Sequence, residues 1–298
     1  MKILVVGAGQ MGAGIAQVCA ARGHTVVLND IEDAFIRNGI ESITKLLARD
    51  VEKQRRTPQD KADILERIRP LPSLKDPLDG IDIAIEAATE NVTIKLELFR
   101  ALDRILPSEA ILASNTSSIS ITKIGAATGR PERVVGMHFF NPVPVMKLVE
   151  VIRGLATSDT TVGVVRALAE QLEKVPADAR DFPGFVANRI LLPMINEAIF
   201  VLYEGVASAE TIDTVMKLGM NHPMGPLALA DFIGLDTCLA ILDVLYAGFG
   251  DPKYRACPLL RQYVAAGWNG KKAGRGFFDY RAGATDRPKT AVAAGGGR

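Results

Sequence analysis

Short apolar runs separated by amphipathic stretches dominate the first 180 residues of the chain. Lys2-Ile-Leu-Val-Val6, Thr25-Val-Val-Leu-Asn-Asp30, Ile68 to Leu71, Ile81 to Ile85 and Ala110 to Ala113 read as buried strands. Helical segments at Ala13–Ala21 and from about Val92 to Leu106 alternate with them, the order of a parallel sheet covered by helices. Between Ile31 and Arg67, Ile36, Ile40, Ile43, Leu47 and Val51 recur at helical spacing, predicting a helical excursion with one buried face. A further pair of runs, Val134–His138 and Leu148–Ile152, is joined by only nine residues. That is too few for a crossover helix, so the pair is expected to be antiparallel. A helix from about Thr160 to Lys174 follows. Past Asp181-Phe-Pro-Gly184, which looks like a hinge, strand patterns stop. Helices are expected at Val186–Glu204, Ala209–Leu218, Pro226–Ile233, Leu235–Gly248 and Pro258–Ala266, with Pro193 bending the first.

This pattern predicts an α/β domain over 1–184, a doubly wound sheet of the Rossmann type with an antiparallel edge hairpin and a helical arm. An all-helical domain follows over 185–282, and the Gly-rich tail 283–298 has too little apolar surface to fold and is expected to be disordered. The apolar fraction of 48% and charged fraction of 23% are ordinary for a globular chain of 298 residues. A net charge of +1 gives no global attraction to nucleic acid or an anionic membrane. Three dispersed cysteines (Cys19, Cys238, Cys257) suit a reducing compartment better than a disulfide framework, and no cluster has metal-ligand spacing. With no visible signal peptide and no run of membrane-spanning length, the expectation is a cytoplasmic protein without metal, nucleic-acid or membrane partners.

Two stretches carry candidate chemistry. Gly7-Ala-Gly-Gln-Met-Gly12 stands between a strand and an apolar helix, and a second strand ends in Asp30, 18 residues past Gly12. Gly7 permits a tight turn, Gly9 lets backbone approach a pyrophosphate, Gly12 allows close helix packing, and Asp30 is placed for the ribose hydroxyls. The loop with Gln10 and Met11 is therefore read as a dinucleotide site, for NAD (NADH) over its 2′-phosphorylated form. In the hairpin, a turn centred on Pro144 sets His138 across from Glu150. A carboxylate beside an imidazole fixes its tautomer and makes it a better base, although a His at a sheet edge can have a chance partner. Ser114-Asn-Thr-Ser-Ser118 ends a strand where ligands gather, but such clusters also cap helices. Lys45, Arg49, Lys53 and Arg56 make a basic stripe on the arm: a solvated face, or the seat of a phosphate-rich partner. His24 is read as a surface turn residue and His222 as a loop residue.

With its motifs at Gly7–Gly12, Ser114–Ser118, His138-Phe-Phe-Asn-Pro142, Met146–Glu150, Asp181–Arg189 and Asn221–Pro226, the chain resembles the 3-hydroxyacyl-CoA dehydrogenases over about residues 1 to 282, most of all bacterial 3-hydroxybutyryl-CoA dehydrogenases. The resemblance implies an NAD-dependent oxidoreductase interconverting (S)-3-hydroxybutyryl-CoA and acetoacetyl-CoA. It implies that His138 is the base and Glu150 its partner, that Ser117 and Asn188 hold the substrate, and that Glu90, Lys95, Ser117, Asn141 and Lys272 line the cofactor site. It also gives the stripe a purpose, coenzyme A being phosphate-rich, with Lys53 favoured and Arg49 second. Family members usually have an alternating apolar strand before the hinge. Val175-Pro-Ala-Asp-Ala-Arg180 departs from it, so that strand is expected to be frayed or absent. Surplus apolar residues in the second domain (Leu191, Leu192, Ile195, Ile199, Leu202) suggest a homodimer. The competing readings are a 3-hydroxyadipyl-CoA or longer-chain enzyme, a sugar-acid dehydrogenase, and a crystallin-like structural protein that kept the nucleotide site.

Overall fold

A computed structural model describes residues 1–74 and 78–281, so the expectation for the 283–298 tail lies outside the described residues. The described residues fall into two compact units that divide between Phe182 and Pro183.

In the first unit, strands β1 (Lys2–Val6), β2 (Thr25–Asn29), β3 (Ile68–Leu71), β4 (Ile83–Glu86), β5 (Ile111–Ser114), β6 (Val134–Phe139), β7 (Leu148–Arg153) and β8 (Val175–Arg180) make one eight-stranded sheet, ordered β3-β2-β1-β4-β5-β6-β7-β8. Pairing is parallel from β3 through β6. The connections run through α1 (Gln10–Ala21), the arm α2 (Asp33–Glu52) and α3 (Pro58–Glu66), α4 (Val92–Ile105) and the short α5 (Ile121–Gly125); α6 (Asp159–Gln171) joins β7 to β8. Strand order reverses at β1, with β2 on one side and β4 on the other, which opens a crevice at their C-terminal ends. The interiors of β1, β2 and β4 to β7 are buried on both faces, as their apolar runs require, whereas the edge strands β3 and β8 are largely exposed.

The hairpin forms as its sequence predicts, with β6 antiparallel to β7 and His138 opposite Glu150. Beyond it, β8 is a full six-residue strand parallel to β7, which corrects the expectation of a frayed segment. Side-chain alternation is not what holds it. The amides of Val175 and Asp181 donate to the Lys147 and Arg153 carbonyls, so by parity the N–H that Pro176 lacks falls on the outer edge and costs no rung. Asp178 pairs with Arg166 of α6, and polar residues on an edge strand discourage pairing with other chains.

Two glycines set how closely helices approach neighbouring turns. A Cβ on Gly39 of α2 would lie 2.6 Å from the Ala8 carbonyl, and one on Gly14 of α1 would lie 2.8 Å from Val143 in the hairpin turn. The arm and the turn therefore close around the start of α1. The arm's inner face is Ile36, Ile43 and Leu47, all buried. Arg130 closes the end of α4, its guanidinium donating to the Asp103 carboxylate and to the Asp103 and Pro107 carbonyls.

The second unit comprises α7 (Ala187–Tyr203, with Pro193 inside it), α8 (Ala209–Gly219), α9 (Pro226–Ile233), α10 (Leu235–Phe249) and α11 (Pro258–Ala265). Leu192, Ile195 and Ile199 are spent on its own core, which corrects the argument that they are surplus. Exposed apolar residues include others: Val186 at the N-cap of α7 and Ile190 in its first turn, Val215 and Leu218 on α8, and Phe232 on α9. Asp213 accepts the Leu227 and Ala228 amides at the start of α9. Asp231, inside the apolar α9, accepts the Phe277 and Phe278 amides and the Tyr280 hydroxyl, tying the segment after α11 to the bundle. Burial pushes its carboxyl up to about 6 in spite of those three donors. Among the described residues no helix is long and apolar enough to cross a membrane. His24 is buried, not a surface residue; desolvation first and the neighbouring N-terminal amine second hold it below the ordinary imidazole range.

Candidate active site

The glycine turn separates two jobs that its pattern alone merges. A side chain on Gly7, at φ +103°, would meet the Ala87 carbonyl at 2.6 Å, and one on Gly12 would meet the Gly7 carbonyl at 1.8 Å. Both glycines are demanded by the protein's own packing. At Gly9, by contrast, a Cβ would have nothing within 4 Å. The space in front of Gly9 is a cradle for something that is not protein. Gly9 is also the N-cap of α1, with no side chain capping it and no acid in the first turn, so uncapped amides and the positive helix end face that space.

Beside it lies a cavity of about 990 Å³, walled by Ala8, Gly9, Asp30, Phe35, Leu74, Ile94 and Leu98 among others. Apolar walls suit a purine. Asp30 stands at its edge, Oδ2 accepting the Ala8 amide (2.6 Å) and Oδ1 the Ile31 amide (2.7 Å). These bonds aim the carboxylate and leave lone pairs for ribose hydroxyls. The residues present thus fit a dinucleotide, with Gly7 to Gly12 for the pyrophosphate and Asp30 for the adenosine ribose.

A smaller cavity, about 160 Å³, continues at the strand ends between Met11, Glu90, Lys95, Asn115 and Thr116. Its floor is an ion pair. Lys95 and Glu86 are both buried and bonded to each other, and Glu86 also accepts the Ser114 hydroxyl (2.8 Å) and the Ala88 amide (2.9 Å). Every carboxylate oxygen there has a partner, which a buried charge requires. Glu90 organises the Ser-rich loop: Oε2 accepts the Thr116 hydroxyl (2.6 Å), and Oε1 accepts the Ser117 amide (2.9 Å) and hydroxyl (3.2 Å). The loop is therefore more than a helix cap.

On the hairpin, His138 Nδ1 lies 2.8 Å from Glu150 Oε2, with both side chains almost entirely buried. A carboxylate can only accept, so Nδ1 carries the proton in this bond. The Phe140 ring leans on the imidazole, centroids 4.7 Å apart. The turn between the strands is held from outside by Lys174, whose ammonium donates to the carbonyls of Val143 (2.6 Å) and Met146 (2.7 Å).

A third cavity, about 690 Å³, opens between α1, the arm and this turn, with Gly9, Gln10, Ser42, Lys45, Arg49, Asn141 and Pro142 in its wall. Gln10 Nε2 donates to Asn141 Oδ1 (3.1 Å) across it. Of the stripe, Lys45 and Arg49 reach this wall, whereas Lys53, the favoured residue, caps α2 outside it. Lys45 is paired with Glu41, and Arg56 lies 3.9 Å from Asp50. Arg49 has no ion-pair partner among the described residues. Ser117, Glu90, Lys95, Asn141 and the dyad thus all belong to the first unit. Asn188 and Lys272 belong to the second, where Asn188 lies in the first turn of α7 and Lys272 is bonded to Asp236 (2.7 Å).

Residues 2–182 match the family model described as 3-hydroxyacyl-CoA dehydrogenase, NAD binding domain, and residues 184–280 match that of the C-terminal domain. The chain belongs to the 3-hydroxyacyl-CoA dehydrogenase family. It is an NAD-binding oxidoreductase of that family. Among its relatives, the probable 3-hydroxybutyryl-CoA dehydrogenase of Bacillus subtilis (strain 168) is 60% identical over 279 residues, covering 94% of this chain and 97% of the relative. The mitochondrial hydroxyacyl-coenzyme A dehydrogenase of Homo sapiens is 43% identical over 286 residues, covering 94% and 91%. The crystal structure of (S)-3-hydroxybutyryl-CoA dehydrogenase from Ralstonia eutropha aligns with a TM-score of 0.91 at 56% identity, over 94% of this chain and 99% of that one. The enzyme's sequence alone did not single out Glu86, Asn115, Gly39 or Lys174. The available signals were an acid closing an apolar strand and a glycine inside an amphipathic helix.

Proposed function

We propose that the enzyme interconverts (S)-3-hydroxybutyryl-CoA and acetoacetyl-CoA, with His138 as general acid and base and Glu150 as its partner. The observation that carries this reading is the buried 2.8 Å contact between His138 Nδ1 and Glu150 Oε2, at the end of the sheet that holds the dinucleotide turn. When bound, the nicotinamide ring supplies the hydride acceptor or donor. In oxidation, His138 Nε2 takes the proton of the 3-hydroxyl as the 3-hydrogen leaves, and the Glu150 carboxylate stabilises the resulting imidazolium. In reduction the same nitrogen returns the proton to the 3-keto oxygen. Ser117, fixed by Glu90, and Asn188 orient the oxygen that reacts.

In this reading the cavity at Arg49 takes the phosphates of coenzyme A, and Arg49 displaces Lys53 as the leading contact because it lines the wall. Glu90, Lys95, Asn141 and Lys272 serve the cofactor. A homodimer forms through the second unit, covering the exposed apolar residues of α7 to α9. The short acyl chain rests on the names of the Bacillus subtilis and Ralstonia eutropha relatives. The test is the rate of NADH oxidation with acetoacetyl-CoA beside a longer 3-ketoacyl-CoA. Higher kcat/KM for acetoacetyl-CoA is the expected result; preference for the longer thioester would reassign the substrate to the longer-chain branch.

A further inference from the structure

Strands β5 and β6 pair only as far as Ser114 and Gly136. There the two chains part. The Asn115 amide turns to the Glu86 carbonyl of β4 (2.7 Å), and Thr116 and Ser117 wrap around Glu90. Strand β6 runs on to Phe139, so His138 sits on an overhang beyond the last main-chain pair with β5. One side of that overhang is held by β7, where His138 faces Glu150 and Phe139 faces Val149. On the other side a side chain supplies the next rung: Asn115 Oδ1 accepts the Phe139 amide at 2.8 Å. Phe139 is only 1% exposed, so water does not readily replace that acceptor. The same Asn115 lines the small cavity with Met11, Glu90 and Lys95, at the strand ends where the dinucleotide turn opens.

We infer that Asn115 is a positioning residue for proton transfer: its carboxamide oxygen stands in for the missing rung and fixes His138 against the inner end of the cofactor site. The inference rests on the proposed role of His138. A neutral acceptor suits the place, because the Glu86 and Glu90 carboxylates already face this loop. Once the rung is lost, the end of β6 loses its hold on the β5 side. The imidazole then drifts relative to the substrate oxygen, and a misplacement near 1 Å is enough to cost on the order of 10²-fold in rate.

The experiment compares Asn115→Ala, Asn115→Ser and Asn115→Asp with His138→Ala, measuring kcat with acetoacetyl-CoA, the NADH dissociation constant, the thermal midpoint, and the primary isotope effect with NADH deuterated at the transferred hydrogen. Asn115→Ala and Asn115→Ser are expected to lower kcat by roughly 10- to 100-fold, with NADH affinity nearly unchanged and a larger isotope effect, since chemistry becomes the slow step. Asn115→Asp keeps an acceptor oxygen and recovers part of the rate. Asn115→Ser, which opens the smaller void, decides the matter if the Ala variant does not fold. Wild-type kcat and isotope effect in the Ser variant, whatever its thermal midpoint, would overturn the inference. If His138→Ala keeps its turnover, the assignment of the base fails instead. An inert His138→Ala beside unaffected Asn115 variants overturns the rung alone.

Discussion

Removing the imidazole and removing the charge beside it should act on one and the same step. His138→Ala deletes the group that exchanges the proton, and general acid–base catalysis is worth roughly 10²–10⁴-fold, or about 3–5 kcal/mol. His24 offers no substitute: it is buried at the start of β2 beside the N-terminal amine. Glu150→Gln keeps the volume and an acceptor oxygen near the 2.8 Å contact, but removes the charge facing the imidazolium. For charge centres near 4 Å at an effective dielectric of about 20, that attraction is roughly 4 kcal/mol. Desolvation of the buried pair offsets part of it, so a loss of about 2–3 kcal/mol, on the order of 10²-fold in kcat, is expected. With no imidazolium to stabilise, Glu150 has no remaining task, and the double variant should be scarcely slower than His138→Ala. The assay is a double-mutant cycle on kcat for acetoacetyl-CoA reduction, with NADH affinity measured alongside. NADH binding should survive in all three variants, because the proposed dinucleotide seat is Gly7 to Gly12 and Asp30. Additive losses would mean that the two residues work independently, and the dyad reading would be refuted.

NADH should be preferred to NADPH by on the order of 10²-fold in kcat/KM, because a 2′-phosphate would be pressed against the Asp30 carboxylate; comparable efficiencies would remove that role from Asp30. Arg49→Ala should raise KM for acetoacetyl-CoA by about tenfold, a charge-assisted contact of roughly 1–2 kcal/mol, with a smaller effect for the dephospho-coenzyme A thioester and little effect of Lys53→Ala. The reverse order would return the phosphates to the end of the arm. Light scattering at micromolar concentration should give a dimer, and Ile190→Asp on the exposed face of α7 should weaken it; a wild-type monomer would be the contrary result. For Asp231 the folded carboxyl titrates near 6 against an ordinary 3.8. The folded state therefore holds the proton longer, and stability contributed by the neutral form is lost as pH rises from about 4 through 6. At about 1.4 kcal/mol per pKa unit that amounts to about 3 kcal/mol. Urea unfolding across that window should show this slope in the parent and lose it in Asp231→Asn.

Wherever one local rule fixed the outcome, the site could be read from residue order. The nucleotide turn is such a case, since a strand, three spaced glycines, a helix and an acid after the next strand leave little choice of geometry. The dyad is another: a short connection forces an antiparallel pair, and counting back from its midpoint sets His138 against Glu150. Periodicity also located α9 to the residue, at Pro226–Ile233. It failed at β8, where the rule applied was side-chain alternation. An edge strand paired on one side depends on main-chain rungs instead, and Pro176 happens to miss none of them. The same limit misplaced the dimer argument. Apolar count along α7 does not say which face meets the unit's own core, and Leu192, Ile195 and Ile199 turned inward while Ile190 did not.

What order along the chain could not give is closeness between segments far apart in it, and the candidate site is built mainly from that. Gly39 looks like a weak spot in an amphipathic helix until the Ala8 carbonyl is found against it. Lys174 and Val143 are 31 residues apart, yet that bond holds the turn on which both halves of the dyad depend. Glu86 closes β4 as one more strand residue, but it gathers Lys95, Ser114 and the Ala88 amide beneath the cofactor site. In each case a polar atom or a missing Cβ meets the need of another segment, and the need is visible only once the backbone carbonyls and amides are placed. The sequence motifs mark the groups proposed to touch the ligand. The residues that aim those groups are set by which hydrogen bonds the sheet leaves unmade at its C-terminal edge, and Asn115, filling one such gap beside His138, follows from that same rule.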